Sequence, residues 1–240
     1  MSEEANVPAV INSLNSLEAL SEALPEATDT DVMKELGGQS AFLPFLTLVQ
    51  SGSPLCGPPH EMPQGIFALR RGREEVENQG KEIHVYVCDW RNKAMFADKM
   101  AGTFEVSYDH TSEKYLRFQA EANVKNGEPG YFWGFEFLLF NLETGEFFTF
   151  FCNNPTLRNC ATNEMHKFVH KAVTLEVVPV SDRQKRYSWW AFKTRQCSIE
   201  PACEISVDAI KAQVDAFKNE KDTPDSNSDD SEESEEGRDR

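Results

Sequence analysis

The clearest pattern of apolar and polar positions lies between Tyr131 and Phe151, where ten of the 21 residues are aromatic. Two apolar runs flank the polar turn from Asn141 to Gly145, an arrangement typical of a β-hairpin. Alternation places Tyr131, Trp133 and Phe135 on one face of the first strand. Because both faces are largely apolar, we expect a central hairpin that is covered on one side and contacted on the other.

Further strands are predicted on both sides of this hairpin. The run from Ile83 to Trp90 is rich in β-branched and aromatic residues, as strands are. Shorter strands are expected at Phe45–Gln50, Ile66–Leu69, Thr103–Tyr108, Tyr115–Ala120, Val173–Val180 and Tyr187–Cys197.

Helical patterns are fewer. One helix is expected from Thr162 to Ala172, and a second begins after Ser206, which is a suitable N-cap. Val10, Leu14 and Leu17 recur at helical spacing near the N-terminus.

Together these elements predict a mainly β protein with minor α structure. The leading architecture is an OB-like five-stranded barrel core with extra strands, one interposed helix and terminal helices. A β-sandwich is the alternative. We divide the chain into an acidic, partly helical arm (1–39), a β-barrel-like nucleic-acid-binding domain (40–203), a C-terminal helix (204–221) and a disordered acidic tail (222–240).

Charge is concentrated at the two ends of the chain. The net charge is −16, but residues 1–39 hold eight acids and one base, and residues 204–240 hold thirteen acids and five bases. The remaining 40–203 hold nineteen acids and eighteen bases, a net of −1. The overall acidity therefore does not exclude a polyanionic partner for this nearly balanced middle part.

The chain shows no targeting or membrane signal. No apolar run approaches the roughly 18 to 20 residues that span a bilayer, and the N-terminus lacks the pattern of a signal peptide. We therefore expect a soluble, cytoplasmic protein without a membrane partner, in the host cytoplasm if it is viral. Its six cysteines should be reduced there.

The candidate binding stretch runs from Ser181 to Arg195, where bases and aromatic residues are interleaved. Cations neutralise phosphates and rings stack on bases, so this composition suits single-stranded nucleic acid. The alternative is that Trp190 and Phe192 belong to the core and that the bases solvate an edge strand. The candidate residues are Arg183, Lys185, Arg186, Tyr187, Trp189, Lys193 and Arg195, with Trp133, Trp90, Arg91 and Lys93 as further contacts.

Metal and catalytic motifs are weaker. Cys152, Cys160, His166 and His170 are the candidate metal ligands, but they lack the short Cys-x2–4-Cys spacing of zinc sites. The alternative is two buried cysteines and two surface histidines. We find no phosphate-binding loop, nucleophile elbow or paired-carboxylate motif, so we expect neither a cofactor nor an enzyme.

The layout of a β domain followed by an acidic C-terminal tail resembles bacteriophage single-stranded DNA-binding proteins. The segments FLPFLTLVQSGSP and RYSWWAF look like those of phage proteins with the same layout. The resemblance spans residues 40–240. It implies an OB-type barrel, single-stranded DNA as ligand in replication or recombination, and a tail for autoinhibition or for recruiting replication or recombination proteins. The sequence is compatible with a homo-oligomer. The alternative function is a structural or protein-interaction module, such as a virion component or a DNA-mimicking inhibitor of a host factor.

Overall fold

Strands dominate the chain. The computed structural model describes residues 10–11, 43–71, 75–98, 103–124, 130–180, 189–203 and 205–223. The strands are β1 (Val10–Ile11), β2 (Phe45–Leu48), β3 (Phe67–Arg71), β4 (Glu75–Gly80), β5 (Glu82–Asp98), β6 (Thr103–Ser107), β7 (Gly130–Asn141), β8 (Phe147–Cys152), β9 (Ala172–Val180), β10 (Trp189–Gln196) and β11 (Ile205–Ser206). The α-helices are α1 (Glu113–Val124), α2 (Pro155–Asn163) and α3 (Val207–Lys218), with 3-10 turns at Pro54–Cys56 and Met165–Phe168.

Nine of these strands form one sheet, and the prediction of a mainly β protein is confirmed. Its order is β10-β9-β5-β7-β8-β2-β3-β4, with β6 also paired to β5, while β1 and β11 pair separately. The chain divides into two units. The larger comprises Met1–Asn92 and Gly134–Glu220, and the smaller comprises Lys93–Trp133 and Lys221–Arg240.

The predicted aromatic hairpin is confirmed as β7 and β8, which pair antiparallel around the turn from Asn141 to Gly145. Asn141 Oδ1 accepts hydrogen bonds from the backbone of Glu143 and Thr144. Gly145 has φ of +75°, a conformation that costs glycine little. From Phe137 onward both faces of β7 are buried: Phe137 lies in one apolar cluster and Leu138 in another.

The predicted barrel is wrong, because the sheet is not closed: β10 and β4 stand at opposite ends of its pairing order. Closure requires a backbone ladder between the first and last strands. Instead, β10 is contacted by a side chain from the segment directly after β2, which is an inner strand of this order. Gln50 accepts a hydrogen bond from Trp190 N at 2.8 Å and donates one to Trp190 O at 2.7 Å. The ring centroids of Phe150 and Phe192 lie 5.4 Å apart in one apolar cluster.

The strand predicted from Tyr115 to Ala120 is a helix, α1. Tyr115 and Phe118, three positions apart, are buried, whereas Leu116 and Arg117 between them are exposed. This spacing is helical, but so short an apolar run does not distinguish a helix from a strand by periodicity. The prediction of a single interposed helix is therefore wrong, since α1 and α2 both lie between strands.

The helix predicted from Thr162 to Ala172 lies earlier in the chain. Asn154 caps α2 by accepting a hydrogen bond from Leu157 N at 2.8 Å, and Pro155 occupies its first turn. Asparagine and proline favour these positions at a helix start. The following 3-10 turn ends at Phe168, because Val169 is already extended with ψ of 135°.

The C-terminal helix is confirmed as α3, with Ser206 as its N-cap: Ser206 Oγ accepts a hydrogen bond from Ala209 N at 3.3 Å. Ile210, Val214 and Phe217 pack in a cluster with β5 and β7 residues. Of the predicted N-terminal arm, only Val10 and Ile11 lie within the described residues, where they form β1. None of the described helices has the length and apolar composition needed to cross a bilayer.

Candidate nucleic-acid interface

The described part of the candidate interface is β10, which pairs with β9 in the larger unit. Alternation directs Phe192 and Thr194 into the buried side of the strand. Lys193 and Arg195 are exposed, and Trp189, on the same face, is half-buried. Ala191 between them is buried. The strand therefore presents two bases and part of one indole ring on one face.

Arg195 is held by two carboxylates. Its guanidinium lies 3.1 Å from Glu82 Oε2 and 3.9 Å from Glu176 Oε2. All three side chains are between 42 % and 48 % exposed, so water competes for these contacts. Exposed ion pairs contribute about 0–1 kcal/mol. A phosphate group could replace these carboxylates at small cost.

Trp190 belongs to the packed side of β10, and Phe192 is fully buried. A Cβ atom on Gly65 would lie 2.6 Å from the nearest atoms of the Trp190 indole, so the ring rests directly on that glycine. The core alternative is therefore confirmed for Trp190 and Phe192. Sequence alternation alone left the role of the two neighbouring tryptophans open.

Four predicted contacts lie outside the described residues: Arg183, Lys185, Arg186 and Tyr187. The strand ends that flank them are paired, with Trp189 opposite Val180. The part of these four residues in binding stays a prediction from the sequence.

Arg91 is placed inside the larger unit rather than at a surface. Its guanidinium donates to Glu136 Oε2 at 2.8 and 2.6 Å and to Glu220 Oε2 at 2.7 Å. It also lies 3.9 Å from the centroid of the Phe217 ring. The Arg91 side chain is 11 % exposed and that of Glu136 3 %. These contacts join β5 and β7 to α3, which is a structural role.

The three remaining candidates are dispersed. Trp90 packs edge-on against Phe135 and lies 4.3 Å from the His166 ring, in the larger unit. Trp133 packs beside α1 in the smaller unit. There too, Lys93 Nζ lies 5.9 Å from the centroid of the Tyr108 ring. The structure therefore does not unite these side chains with the β10 face.

Arg70, Arg71 and Arg73 form a basic cluster in the sequence, and the acids Glu74, Glu75 and Glu77 follow it. Arg71 contacts Glu75, Glu77 and Glu146 at 3.5, 2.7 and 2.5 Å. Hydrogen bonds raise the pKa of the Arg71 guanidinium, and the bond with Glu146 contributes more than the bond with Glu77. This cluster offers little net charge to a polyanion.

The candidate metal ligands do not converge. Cys152 is buried, and burial raises the pKa of its thiol. The His166 ring packs among aromatic residues, and burial lowers its pKa. No three His, Cys, Asp or Glu side chains in the described part of the chain form a group suited to a metal ion.

Sequence reasoning missed two exposed aromatic rings in the smaller unit. Phe104 on β6 and Phe132 on β7 are 54 % and 36 % exposed. The alternation of Phe104, Val106 and Tyr108 carried a signal for one face, but the sequence did not show which face of that strand would be covered.

Comparisons with protein-family models, curated proteins and solved structures found no match to this chain.

Proposed function

We propose that this protein is a non-enzymatic, sequence-tolerant single-stranded DNA-binding protein of DNA replication or recombination. The main observation that supports this proposal is that β10 presents Trp189, Lys193 and Arg195 on one face. A basic sequence, Ser181 to Ser188, comes directly before this strand in the chain. Cations beside an aromatic ring suit a ligand with phosphates and stacking bases.

On binding, phosphate groups of the DNA would replace glutamate carboxylates as partners of the bases on β10. Phosphates would take the place of Glu82 and Glu176 beside Arg195 and would add a partner for Lys193. Glu176 is also directly opposite Lys193 in the β9–β10 register. Because Arg195, Glu82 and Glu176 are about half-exposed, their ion pairs are weak, and the two carboxylates can move aside for a phosphate at small cost.

The proposed contact set is narrower than the one predicted from the sequence. Arg91 is left out, because a contact with phosphate would leave the buried Glu136 carboxylate without its ion-pair partner. Trp90 and Trp133 are left out because they pack in apolar clusters. Arg183, Lys185, Arg186 and Tyr187 stay in the set because of their sequence alone.

We further propose a cytoplasmic location, in the host cytoplasm if the protein is viral. The acidic tail would serve autoinhibition or recruitment of replication or recombination proteins. Its first two residues, Asp222 and Thr223, are hydrogen-bonded to β6 and Tyr108. The segment available for these roles therefore begins after Thr223.

The test is fluorescence anisotropy of a labelled oligo-dT at low and high salt, with the double variant Lys193→Ala/Arg195→Ala. We expect affinity to fall about tenfold or more, because two phosphate contacts are lost. The slope of log affinity against log salt should decrease by about 1.4 for those two contacts.

The matched control is Arg117→Ala, which removes an exposed base on α1 and should change affinity less than about twofold. Absence of binding at low salt, even after removal of residues 224–240, would contradict the proposed function. An equal loss in both variants would contradict the assignment to β10.

A further inference from the structure

The side chain of Gln50 binds the edge of β10 that faces away from β9. Gln50 follows β2 closely in the chain, and its carboxamide contacts both backbone groups of Trp190. Oε1 accepts a hydrogen bond from Trp190 N at 2.8 Å, and Nε2 donates one to Trp190 O at 2.7 Å. Backbone groups at the edge of a sheet otherwise lack a strand to pair with. For this residue, Gln50 therefore takes the part of a neighbouring strand.

The strand β9 does not supply these bonds. Trp190 is directly opposite Pro179 in the β9–β10 register, and proline has no N–H to donate. In an antiparallel pair, every second pair of residues directs its backbone groups away from each other. The bonds to Gln50 place Trp190 in such a pair. The backbone of Trp190 is therefore held from the side opposite to β9.

The backbone around Gln50 is itself anchored. Val49 N donates to Ile66 O, and Gly65 N donates to Val49 O, each at 2.9 Å. Gln50 O accepts a hydrogen bond from Ser53 N at 3.1 Å. The carboxamide thus reaches β10 from a fixed base, so less side-chain freedom is lost when it binds the strand.

The ring of Trp190 is fixed as well. A Cβ atom on Gly65 would lie 2.6 Å from the nearest atoms of this ring, and the ring packs against the apolar cluster that contains Phe192. Gln50 therefore holds the backbone of Trp190, while Gly65 and the apolar cluster hold its side chain.

This anchoring determines the direction of the neighbouring ring. Successive side chains of a strand point to opposite faces, so the packed ring of Trp190 directs Trp189 to the face that carries the two bases of β10. Trp189 is itself opposite Val180 of β9. Contacts at both edges, from β9 and from Gln50, limit rotation of the strand about its axis at this point. The half-buried Trp189 ring therefore has a defined orientation.

We propose that Gln50 is a positioning residue for base stacking, an inference that rests on the proposed DNA binding by β10. By holding the backbone of Trp190, it keeps the Trp189 ring directed toward the single strand. A ring that is already oriented loses less conformational freedom when a base stacks on it. Gln50 itself does not contact the DNA.

The first test is the oligo-dT titration of the full-length protein over a range of salt concentrations, with Gln50→Leu. Leucine is similar in size but forms neither bond to Trp190. Affinity should fall about fivefold or more, as expected for weakened stacking of one base. The slope of log affinity against log salt should not change, because no phosphate contact is lost.

The matched control is Gln196→Leu, the same change at the exposed last residue of β10. It should change affinity less than about twofold. Equal affinities for the Gln50 and Gln196 variants would overturn the proposal.

The variant Trp189→Ala distinguishes positioning from a general structural role. If Gln50 acts through the Trp189 ring, Gln50→Leu should change affinity less than about twofold once that ring is removed. An equal loss of affinity with and without the ring would overturn the proposal, because Gln50 would then act through something other than Trp189.

A measurement without DNA separates this inference from the proposed function. In NMR spectra of protein with isotope-labelled tryptophan, the indole N–H signal of Trp189 is assigned by its loss in Trp189→Phe. Gln50→Leu should shift or broaden this signal, whereas Gln196→Leu should not. Circular dichroism and urea unfolding verify that each variant is folded.

Gln50→Glu is the second variant, should Gln50→Leu fail to fold. It keeps an acceptor for Trp190 N but loses the donor to Trp190 O, so it should change the Trp189 signal in the same way but less. A Trp189 signal that is unchanged in the folded Gln50 variants would overturn the proposal. Failure of the wild-type protein to bind oligo-dT would instead contradict the proposed function, and the NMR signal would still decide whether Gln50 positions the ring.

Discussion

The centre and the β10 edge of the sheet in the larger unit each place an arginine beside two glutamates. Arg91 at the centre contacts Glu136 and Glu220, and its side chain is 11 % exposed. Arg195 at the edge contacts Glu82 and Glu176, and its side chain is 48 % exposed. The same chemistry therefore serves the fold in one place and leaves an accessible base in the other.

Burial is the physical difference between the two. Glu136 is 3 % exposed, so removing its partner would leave a charge without water or a counter-ion. Around Arg195, water and salt screen each charge whether or not the pair forms. A basic residue next to an aromatic one thus indicates a ligand contact only when its side chain is accessible.

The largest expected effect is that of Arg91→Ala. It should lower the free energy of unfolding by about 3–5 kcal/mol, because it leaves the Glu136 carboxylate buried and unpaired. It also removes the contact of the guanidinium with the Phe217 ring. Urea unfolding followed by tryptophan fluorescence measures the change. The double variant Arg91→Met/Glu136→Leu should recover much of the loss, and no recovery would mean that the pair is not the cause.

An intermediate effect is expected for Gly65→Ala, on the packed side of β10. The new Cβ would lie 2.6 Å from atoms of the Trp190 ring and overlap it. The alanine would also have to adopt φ of +71°. We expect a loss of roughly 2–4 kcal/mol from overpacking and the left-handed backbone together.

The control for Gly65 is Gly80→Ala. Gly80 has φ of +79°, but nothing lies within 4 Å of a Cβ there. Only the backbone contribution of about 1–2 kcal/mol should appear. If both variants lose the same free energy, the contact of Trp190 with Gly65 does not contribute to stability.

The smallest expected change in stability is that of Arg195→Ala. Loss of an exposed ion pair should lower the free energy of unfolding by less than about 1 kcal/mol. The same urea titration as for Arg91 measures it, under identical salt. A loss comparable to that of Arg91→Ala would show that the edge arginine is also structural and would remove the contrast between the two regions.

Local patterns were sufficient for several elements. The hairpin β7–β8 follows from two apolar runs around Asn141–Gly145, and α3 follows from Ser206 and the apolar stripe after it. In both, the residues that decide the structure are close in sequence. The helix α1 was missed because its apolar residues, Tyr115 and Phe118, form too short a run for periodicity to decide.

The candidate interface was only partly predictable for a different reason. Charge and aromatic content pointed to both Arg91 and Arg195. However, Glu136, which pairs with Arg91, lies on another strand 45 residues further along the chain. Likewise, which side chains of β5 and β7 are covered in the smaller unit depends on where the helix α1 packs. Such facts depend on contacts between distant residues, which a local pattern does not contain.

By itself, the sequence determined the mainly β character, the aromatic hairpin, the acidic ends and the basic stretch before β10. Each of these is a property of neighbouring residues, set by local alternation, turn chemistry or composition. Only the tertiary structure decided that the sheet stays open beside Gln50, that Arg91 is buried and that Phe104 is exposed. Burial is the cause in each case, because strand order and helix placement determine which side chains lose contact with water.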